Sequence, residues 1–255
     1  MKFVVNTPLG PYKYKLHIVY EGIKVMDKEI GKENLLLFNK IAKKNNLQFE
    51  LYYGTLLGAI REHDFIAHDE DIDLVMLKEH LSDFKAILFE LRENGFEVIR
   101  FDRRQGLCSV MRKGEYIDVY FLDELYPGVR AMMGEPTPSK YLMELKECNF
   151  QGDVFWIPKD AEEFALFEYG ANWKTPIARK THGMNWLQKK ISHLSWWIYY
   201  RMPDFIFFPL MEKRGIKKAK YYNYKVERFN SNIGKEVFTK IPENVYKIRK
   251  CDNGC

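Results

Sequence analysis

"YYGTLLGAIREHDFIAHDEDIDLVM", residues 52–76, is the stretch that decides the fold of this chain. It carries four acidic residues within five positions, between a glycine-marked turn and an apolar run: Asp69, Glu70, Asp71 and Asp73. Like charges at this spacing repel one another, so they are either solvated on a loop, with Asp69 or Asp71 in a capping role, or held together by a positive charge. Because the apolar run begins inside the acidic cluster, we favour the second interpretation.

Helix and strand patterns alternate around this stretch. Strands are predicted at 47–53, 72–77, 96–101 and 153–158, together with a hairpin around Lys113-Gly114, and helices at 32–46, 55–62, 82–95 and 159–170. The alternation predicts an α+β core with a mixed sheet and flanking helices. We divide the chain into a loose arm (1–30), a catalytic core (31–180) and a helical, basic, aromatic-rich region (181–255).

The acidic residues have the geometry of a metal site. Side chains two apart on a strand point to the same face, so Asp71 and Asp73 project together. Asp118 lies alone in the apolar strand "YIDVYF", where an unpaired carboxylate is costly. Oxygen ligands suit a hard cation, so the three residues are candidate ligands of Mg²⁺, with Mn²⁺ as the alternative. Asp118 is either the third ligand or a catalytic base.

The turn before the acidic stretch has the features of a phosphate site. Gly54 stands between a predicted strand and a predicted helix, where backbone N–H groups can receive a phosphate, and the Thr55 hydroxyl is a further donor. Arg61 either binds the same phosphate or locks the acidic loop. A glycine-Thr turn, a helix, a D-x-D strand and a lone strand aspartate occur in this order in the nucleotidyltransferase fold.

Residues 52–76 resemble the core motif of LicD-family phosphotransferases, which include the fukutin-related proteins. A second block, "FWIPKDAEEFALFEYGANWKTPI" at 155–177, is similar to that family's segment of a proline, an acidic helix, Tyr-Gly, Trp and Pro. Two departures stand out: Ala67-His68 replaces the usual Pro-Trp, and Glu70 replaces a middle aspartate. Asp71 and Asp73, the expected metal ligands, are intact.

The resemblance implies an Mg²⁺-dependent transferase. Its donor would be CDP-activated, such as CDP-choline or a CDP-alditol, and its acceptor a sugar hydroxyl of a cell-surface glycan or glycolipid, as in lipopolysaccharide, teichoic acid or capsule synthesis. Two rival functions remain. One is a nucleotidyltransferase that moves NMP from an NTP to a small molecule or an RNA end, and the other is a non-catalytic binding protein on the same fold.

Length and composition limit the class of protein to which this chain can belong. The chain has 255 residues, of which 46% are hydrophobic, enough for one large domain or a domain with an appendage. We find no run of roughly 18 apolar residues that would cross a membrane and no secretory signal. The four cysteines lack zinc-type spacing, although Cys251 and Cys255 lie close together, and we interpret them as reduced thiols. A cytoplasmic protein is expected.

Charge is distributed unevenly along the chain. Residues 181–255 carry 15 Lys and Arg against 6 Asp and Glu, a balance of +9 that leaves −4 for residues 1–180. The tail is therefore interpreted as a helical lid packed on the core, as a contact with the inner membrane face, or as a site for an anionic glycan. It contains no recognisable nucleic-acid-binding module, so no nucleic-acid partner is expected.

Overall fold

The computed structural model describes residues 2–19, 24–132, 135–177 and 183–242. The cysteines Cys251 and Cys255 lie outside these residues, whereas Cys108 and Cys148 are free thiols. The strands are β1 (Lys2–Thr7), β2 (Gly10–Lys15), β3 (Glu50–Leu51), β4 (Ile72–Leu77), β5 (Glu97–Asp102), β6 (Leu107–Arg112), β7 (Glu115–Tyr126), β8 (Val129–Met132), β9 (Glu135–Pro138), β10 (Leu145–Phe150) and β11 (Asp153–Pro158). The helices are α1 (Lys28–Lys44), α2 (Tyr53–Arg61), α3 (Leu81–Ala86), α4 (Leu88–Glu93), α5 (Lys140–Met143), α6 (Ala161–Tyr169), α7 (Trp186–Arg201) and α8 (Asp204–Ile233).

The central sheet runs in the order β10–β11–β3–β4–β7–β6–β5, and β8 and β9 extend it from the end of β7. The pairs β4–β7 and β3–β11 are parallel, and the other neighbours in this order are antiparallel. A mixed sheet with flanking helices confirms the predicted α+β class. The predicted hairpin is β6–β7, and its turn residues Lys113 and Gly114 both have positive φ, as a tight hairpin turn requires.

The two faces of the sheet differ in character. Ile72 and Leu74 of β4 and Ile117 and Val119 of β7 are fully buried and belong to the core that also contains Phe38 of α1. Alternation along each strand sends the intervening residues to the opposite face, which carries the polar side chains. The candidate site lies on that second face.

The N-terminal residues form a defined element, so the prediction of a loose arm is wrong for residues 2–15. Strands β1 and β2 pair along their full length as an antiparallel hairpin. Tyr12 of this hairpin is buried, its hydroxyl contacts Glu97 of β5 at 3.3 Å, and the Arg92 guanidinium lies 3.7 Å from its ring centroid. These contacts, distant in sequence, order a segment whose local pattern is too short to indicate a strand pair.

Two other predicted elements differ in extent. The strand at 47–53 is confined to β3, and the chain enters α2 at Tyr53. The helix at 82–95 is divided into α3 and α4 at Ile87. The proline-containing residues 135–138 form β9, which pairs with β8.

The basic C-terminal region is helical over α7 and α8. Helix α7 begins at a capping box, in which the Asn185 side chain accepts from the Gln188 N–H and the Gln188 side chain accepts from the Asn185 N–H. Within the described ranges, neither of these helices nor any other combines the length and apolar character needed to cross a bilayer.

Candidate active site

Two carboxylates from neighbouring strands lie side by side. Asp73 of β4 and Asp118 of β7 are partners in the parallel register, so their side chains leave the same face of the sheet. Both residues are buried, with 7% and 3% of their surface exposed. Asp71, just before β4, interacts with the hydroxyl of Tyr116 and with the charge of Asp118. The structure thus brings together the three acidic residues that the sequence singles out, and Asp73 is not on a solvated loop.

The N-terminus of α2 meets this pair at Gly54. The Gly54 N–H donates to Oδ2 of Asp73 at 3.2 Å, and the Tyr120 hydroxyl donates to Oδ1 of the same carboxylate at 3.0 Å. A Cβ on residue 54 would lie 2.7 Å from the Asp69 carboxylate, so glycine permits this close approach. The preceding residue, Tyr53, has φ 36°, which is a strained value for a residue with a side chain.

Thr55 lies behind the site rather than in it. The residue is fully buried, and its hydroxyl oxygen accepts a hydrogen bond from the Asp73 N–H at 2.9 Å. This bond fixes α2 against β4 and positions the backbone of Asp73. In this structure the predicted phosphate donor therefore acts as a support for a carboxylate.

The Asp118 carboxylate is paired with an arginine of β5, which is separated from β7 by strand β6. Arg100 of β5 donates from Nη2 to Oδ2 of Asp118 at 2.6 Å, and its Nε donates to the Ser109 hydroxyl of β6 at 2.8 Å. The three residues lie in register across β5, β6 and β7, which places them on one face of the sheet. The other carboxylate oxygen, Oδ1, is buried without a hydrogen-bond donor among the described residues.

Negative charge is concentrated between these strands. Burial, with the charges of Asp118 and Asp69, raises the pKa of Asp71 well above its usual range. Burial, with the charges of Asp71 and Asp69, does the same to the pKa of Asp73. The pKa of the Tyr120 hydroxyl is also raised, by burial and by the neighbouring charge of Asp73. Added positive charge at this point would lower the energy of the whole cluster.

The donor chemistry fits a hard cation, because carboxylate oxygens are the preferred ligands of Mg²⁺. In the described part of the chain, however, no three Asp, Glu, His or Cys side chains are placed to hold one ion by themselves. Arg100 and Tyr120 each donate a hydrogen bond to one carboxylate oxygen, of Asp118 and of Asp73 respectively. A cation here would therefore need oxygen atoms of a substrate as well as those of the protein.

Arg61 connects α2 to the second sequence block. Its Nη1 donates to the Trp173 carbonyl at 3.0 Å and its Nη2 pairs with Glu62 at 2.6 Å. Trp173 is 8% exposed and packs with Leu57 of α2 and Ala165 of α6. These contacts point the guanidinium at the loop after α6 rather than at the acidic stretch.

Several side chains at the site were not predicted from the sequence. They are Arg100, Tyr116 and Tyr120. Tyr116 and Tyr120 flank Asp118 at a spacing of two, so strand periodicity alone places them on its face. Arg100 is a charge inside the strand "FEVIRF", which signals a buried partner. Tyr169 is the tyrosine of the Tyr-Gly pair in the second sequence block, and its pKa is raised by burial and by the charges of Glu168 and Asp73.

The sequence of the segment that carries the site matches a known family. Residues 46–160 match the family model described as the LicD/FKTN/FKRP nucleotidyltransferase domain. We refer to these residues as the LicD domain. The LicD domain runs from the residues before β3 to those after β11, and it contains the three carboxylates and Arg100. Helices α7 and α8 lie outside it.

Two curated relatives come from rickettsiae. The uncharacterized protein RP689 of Rickettsia prowazekii is 25% identical over 149 residues, 46% of this chain and 56% of that protein. The uncharacterized protein RT0683 of Rickettsia typhi is 32% identical over 96 residues, 35% of this chain and 31% of that protein. The chain thus aligns with about half or less of the length of these relatives.

Solved structures with a similar chain path include an antibiotic adenylyltransferase and an antibiotic-resistance factor. The lincomycin-bound lincosamide adenylyltransferase LnuA is 10% identical and has a TM-score of 0.39, with 66% of this chain and 95% of that chain covered. The solution structure of the resistance factor ANT(2'')-Ia is 14% identical and has a TM-score of 0.43, with 82% of this chain and 95% of that chain covered.

Proposed function

We propose that the LicD domain transfers phosphocholine or an alditol phosphate from a CDP-activated donor to a sugar hydroxyl of a cell-surface glycan. The observation that carries this proposal is the register of Asp73 beside Asp118 below the N-terminus of α2, within a segment that matches the LicD family. Such a cluster is suited to phosphoryl chemistry, in which catalysis consists mainly of positioning and charge stabilisation.

The proposed reaction is an in-line displacement at phosphorus. The acceptor hydroxyl oxygen attacks the donor phosphorus that bears choline or the alditol, and the bond from that phosphorus to the bridging oxygen breaks. CMP leaves with the bridging oxygen, and the hydroxyl proton passes to a carboxylate of the site. The incoming and leaving oxygens stand on opposite sides of the phosphorus, so the site must hold donor and acceptor on one line.

Asp71 and Asp73 would hold Mg²⁺ or Mn²⁺ together with the donor diphosphate. Sites in which one or two carboxylates and substrate phosphates share the ion are common for Mg²⁺, so the absence of a closed protein cage in the described residues suits this arrangement. When bound, the ion would neutralise charge on the diphosphate. The Gly54 N–H, now bonded to Asp73, would be available to a phosphate oxygen if the carboxylate turned toward the ion.

Asp118 would act either as the proton acceptor or as a further metal ligand. Its Oδ1 is a buried acceptor without a hydrogen-bond donor among the described residues, which suits both roles. Arg100 already supplies a positive charge to the other oxygen. A resident cationic partner lowers the affinity of a carboxylate for a metal ion and for a proton alike, so the metal affinity of an Asp118 variant decides between the two roles.

Nucleotidyl transfer is the second candidate, since the matched family model is described as a nucleotidyltransferase domain. In that reaction the acceptor attacks the α-phosphorus of an NTP and pyrophosphate leaves. The two reactions use the same carboxylates and differ in the phosphorus attacked and in the leaving group.

Product analysis separates the two candidates. The full chain would be incubated with Mg²⁺, a glycan acceptor and either CDP-choline, CDP-glycerol, CDP-ribitol or an NTP, with CMP and pyrophosphate quantified. CMP release that depends on the acceptor and is lost in Asp71→Asn supports the proposal, with Asp83→Asn on the exposed surface of α3 as the matched control. Pyrophosphate release from an NTP would replace the proposal with the second candidate.

A further inference from the structure

Helix α7 turns an apolar stripe away from the body of the protein. Leu187, Ile191, Leu194 and Ile198 follow one another at intervals of four, three and four residues, which places them on one helix face. Their exposed fractions are 57%, 59%, 58% and 47%. A helix of a soluble domain normally points such a stripe at the core, so this orientation requires an explanation.

The opposite face of α7 is attached to the body by specific contacts. Arg104 donates to the carbonyls of Tyr199 at 2.9 Å and of Met202 at 3.2 Å. The Tyr199 hydroxyl donates to the Asp102 carboxylate, and the ring of Tyr200 lies 5.5 Å from that of Phe3. These polar and aromatic contacts fix the rotation of the helix. The outward direction of the stripe follows from them.

The charge of α7 has one sign. Its sixteen residues include Lys189, Lys190 and Arg201 and no acidic residue. Lys190 lies 4.0 Å from the ring centroid of Trp186, and Arg201 lies 4.4 Å from that of Trp197. Trp and basic side chains around an apolar stripe are the composition of helices that rest in a lipid headgroup layer.

We infer that α7 docks on an anionic lipid surface, lying in its plane with the four-residue stripe buried among the lipids. At 1.5 Å per residue the helix is about 24 Å long, shorter than the roughly 30 Å hydrocarbon core, so it rests on the bilayer and does not span it. Phe205, Ile206 and Leu210 at the start of α8 are also exposed and extend the apolar surface.

A lipid surface fits this helix better than a protein partner does. The occupant must cover an apolar stripe and at the same time meet the two positive charges, Lys190 and Arg201, that helical spacing places beside the stripe. An anionic bilayer presents an apolar interior beneath a negative surface over its whole area, so it satisfies both demands without a specific shape. Charge complementarity therefore selects the lipid.

Helix α7 lies between the proposed lipid surface and strand β5. Tyr200, on the face opposite the stripe, interacts with Arg100, the residue that pairs with Asp118. The helix that would contact the lipid therefore also contacts the strand that supplies the cationic partner of Asp118.

The test is vesicle co-sedimentation of the full chain, with vesicles of phosphatidylcholine alone and of phosphatidylcholine mixed with phosphatidylglycerol. Each basic residue near an anionic surface contributes about fivefold in affinity, so Lys190 and Arg201 predict binding to the mixed vesicles on the order of thirtyfold tighter. Raised salt should reduce this difference. A blue shift of tryptophan fluorescence on binding would report burial of the α7 tryptophans.

Matched variants test whether the apolar stripe of α7 is responsible for vesicle binding. Ile191→Glu with Leu194→Glu should reduce binding more than tenfold, whereas Ile177→Glu with Met143→Glu, at exposed apolar positions elsewhere, should not. Lys190→Gln with Arg201→Gln should lower the preference for anionic vesicles about thirtyfold, and Lys146→Gln with Lys159→Gln should leave it unchanged. Circular dichroism would establish that each variant is folded.

Three results would overturn the inference. They are failure of the full chain to bind either vesicle, equal binding to both vesicles, and binding that survives the stripe substitutions. A concentration-dependent dimer that the stripe substitutions abolish, without vesicle binding, would assign the stripe to a second copy of the chain. The CMP assay uses water-soluble donors, so these outcomes are independent of the proposed reaction.

Discussion

Asp73 and Asp118 are register partners on parallel strands, yet their carboxylates are held by opposite kinds of group. Asp73 accepts from two neutral donors, the Gly54 N–H and the Tyr120 hydroxyl. Asp118 is paired with the Arg100 guanidinium. A metal ion can replace the neutral donors of Asp73 at little electrostatic cost, whereas Asp118 already has a cationic partner. We therefore expect substitutions at the two aspartates to differ in their effect on metal affinity.

Asp71→Asn should weaken Mg²⁺ binding and lower turnover by roughly 10²–10³-fold, because one of the two proposed ligands loses its charge. Metal affinity would be measured directly by titration calorimetry in the presence of the donor nucleotide. Asp118→Asn should lower turnover as strongly and leave metal affinity within about threefold if Asp118 is the proton acceptor. An equal loss of metal affinity in both variants would make Asp118 a ligand instead.

Arg100→Met should destabilise the protein by about 3–5 kcal/mol, since it leaves the buried Asp118 carboxylate without its ionic partner. The double variant Arg100→Met with Asp118→Asn should lose much less, because the uncompensated charge is gone. Urea unfolding measures both. Arg103→Met, which removes a half-exposed arginine 3.5 Å from Asp204, should cost less than about 1 kcal/mol.

Thr55→Val should cost about 1–3 kcal/mol of unfolding free energy, because the buried Asp73 N–H loses its acceptor. Thr55→Ser keeps the hydroxyl and should retain most of the stability. If Thr55 instead bound phosphate, the valine variant would keep its stability and show a raised KM for the donor. Thermal unfolding and steady-state kinetics on the same preparations distinguish these roles.

Gly58→Ala should destabilise the protein by about 1–3 kcal/mol, the usual cost of overpacking. A Cβ at residue 58 would stand 2.5 Å from the Asp64 carbonyl oxygen, so the chain leading to the acidic stretch would have to move away from α2. Gly183→Ala, where nothing lies within 4 Å of the added Cβ, is the matched control. Equal stabilities of the two variants would show that this close approach is not needed.

Glu50→Gln should stabilise the protein increasingly as the pH rises. Burial raises the pKa of Glu50 well above its usual range, so the folded state keeps a proton that the unfolded chain loses above about pH 4.5. The contribution of Glu50 to the unfolding free energy is therefore largest below that pH. It declines as the pH rises toward the pKa of Glu50 in the folded protein, by up to about 1.4 kcal/mol per pH unit. Glutamine does not titrate, so the unfolding free energy of Glu50→Gln should exceed that of the unsubstituted protein by an amount that grows with pH. Urea unfolding at several pH values measures it, and the exposed variant Glu147→Gln should show no such trend.

Local sequence was sufficient to place the candidate carboxylates. The strand at 72–77 and the strand that carries Asp118 were predicted because apolar alternation and turn residues are short-range signals. The same signals did not reveal that residues 2–15 form a hairpin, since its stability comes from Tyr12 packing against β5 and Arg92. Local pattern reports local preference, and a segment ordered by distant contacts does not show in it.

The sequence by itself determined the α+β class, the order of helices and strands around residues 52–76, and the pairing of Asp71 with Asp73 on one side of the chain. The tertiary structure decided what those residues touch. Arg61 binds the Trp173 carbonyl and Arg100 binds Asp118, because strand order and helix packing choose the partners of a charged group. The outward stripe of α7 was likewise decided by packing, since helical spacing fixes which residues share a face but not which way that face turns.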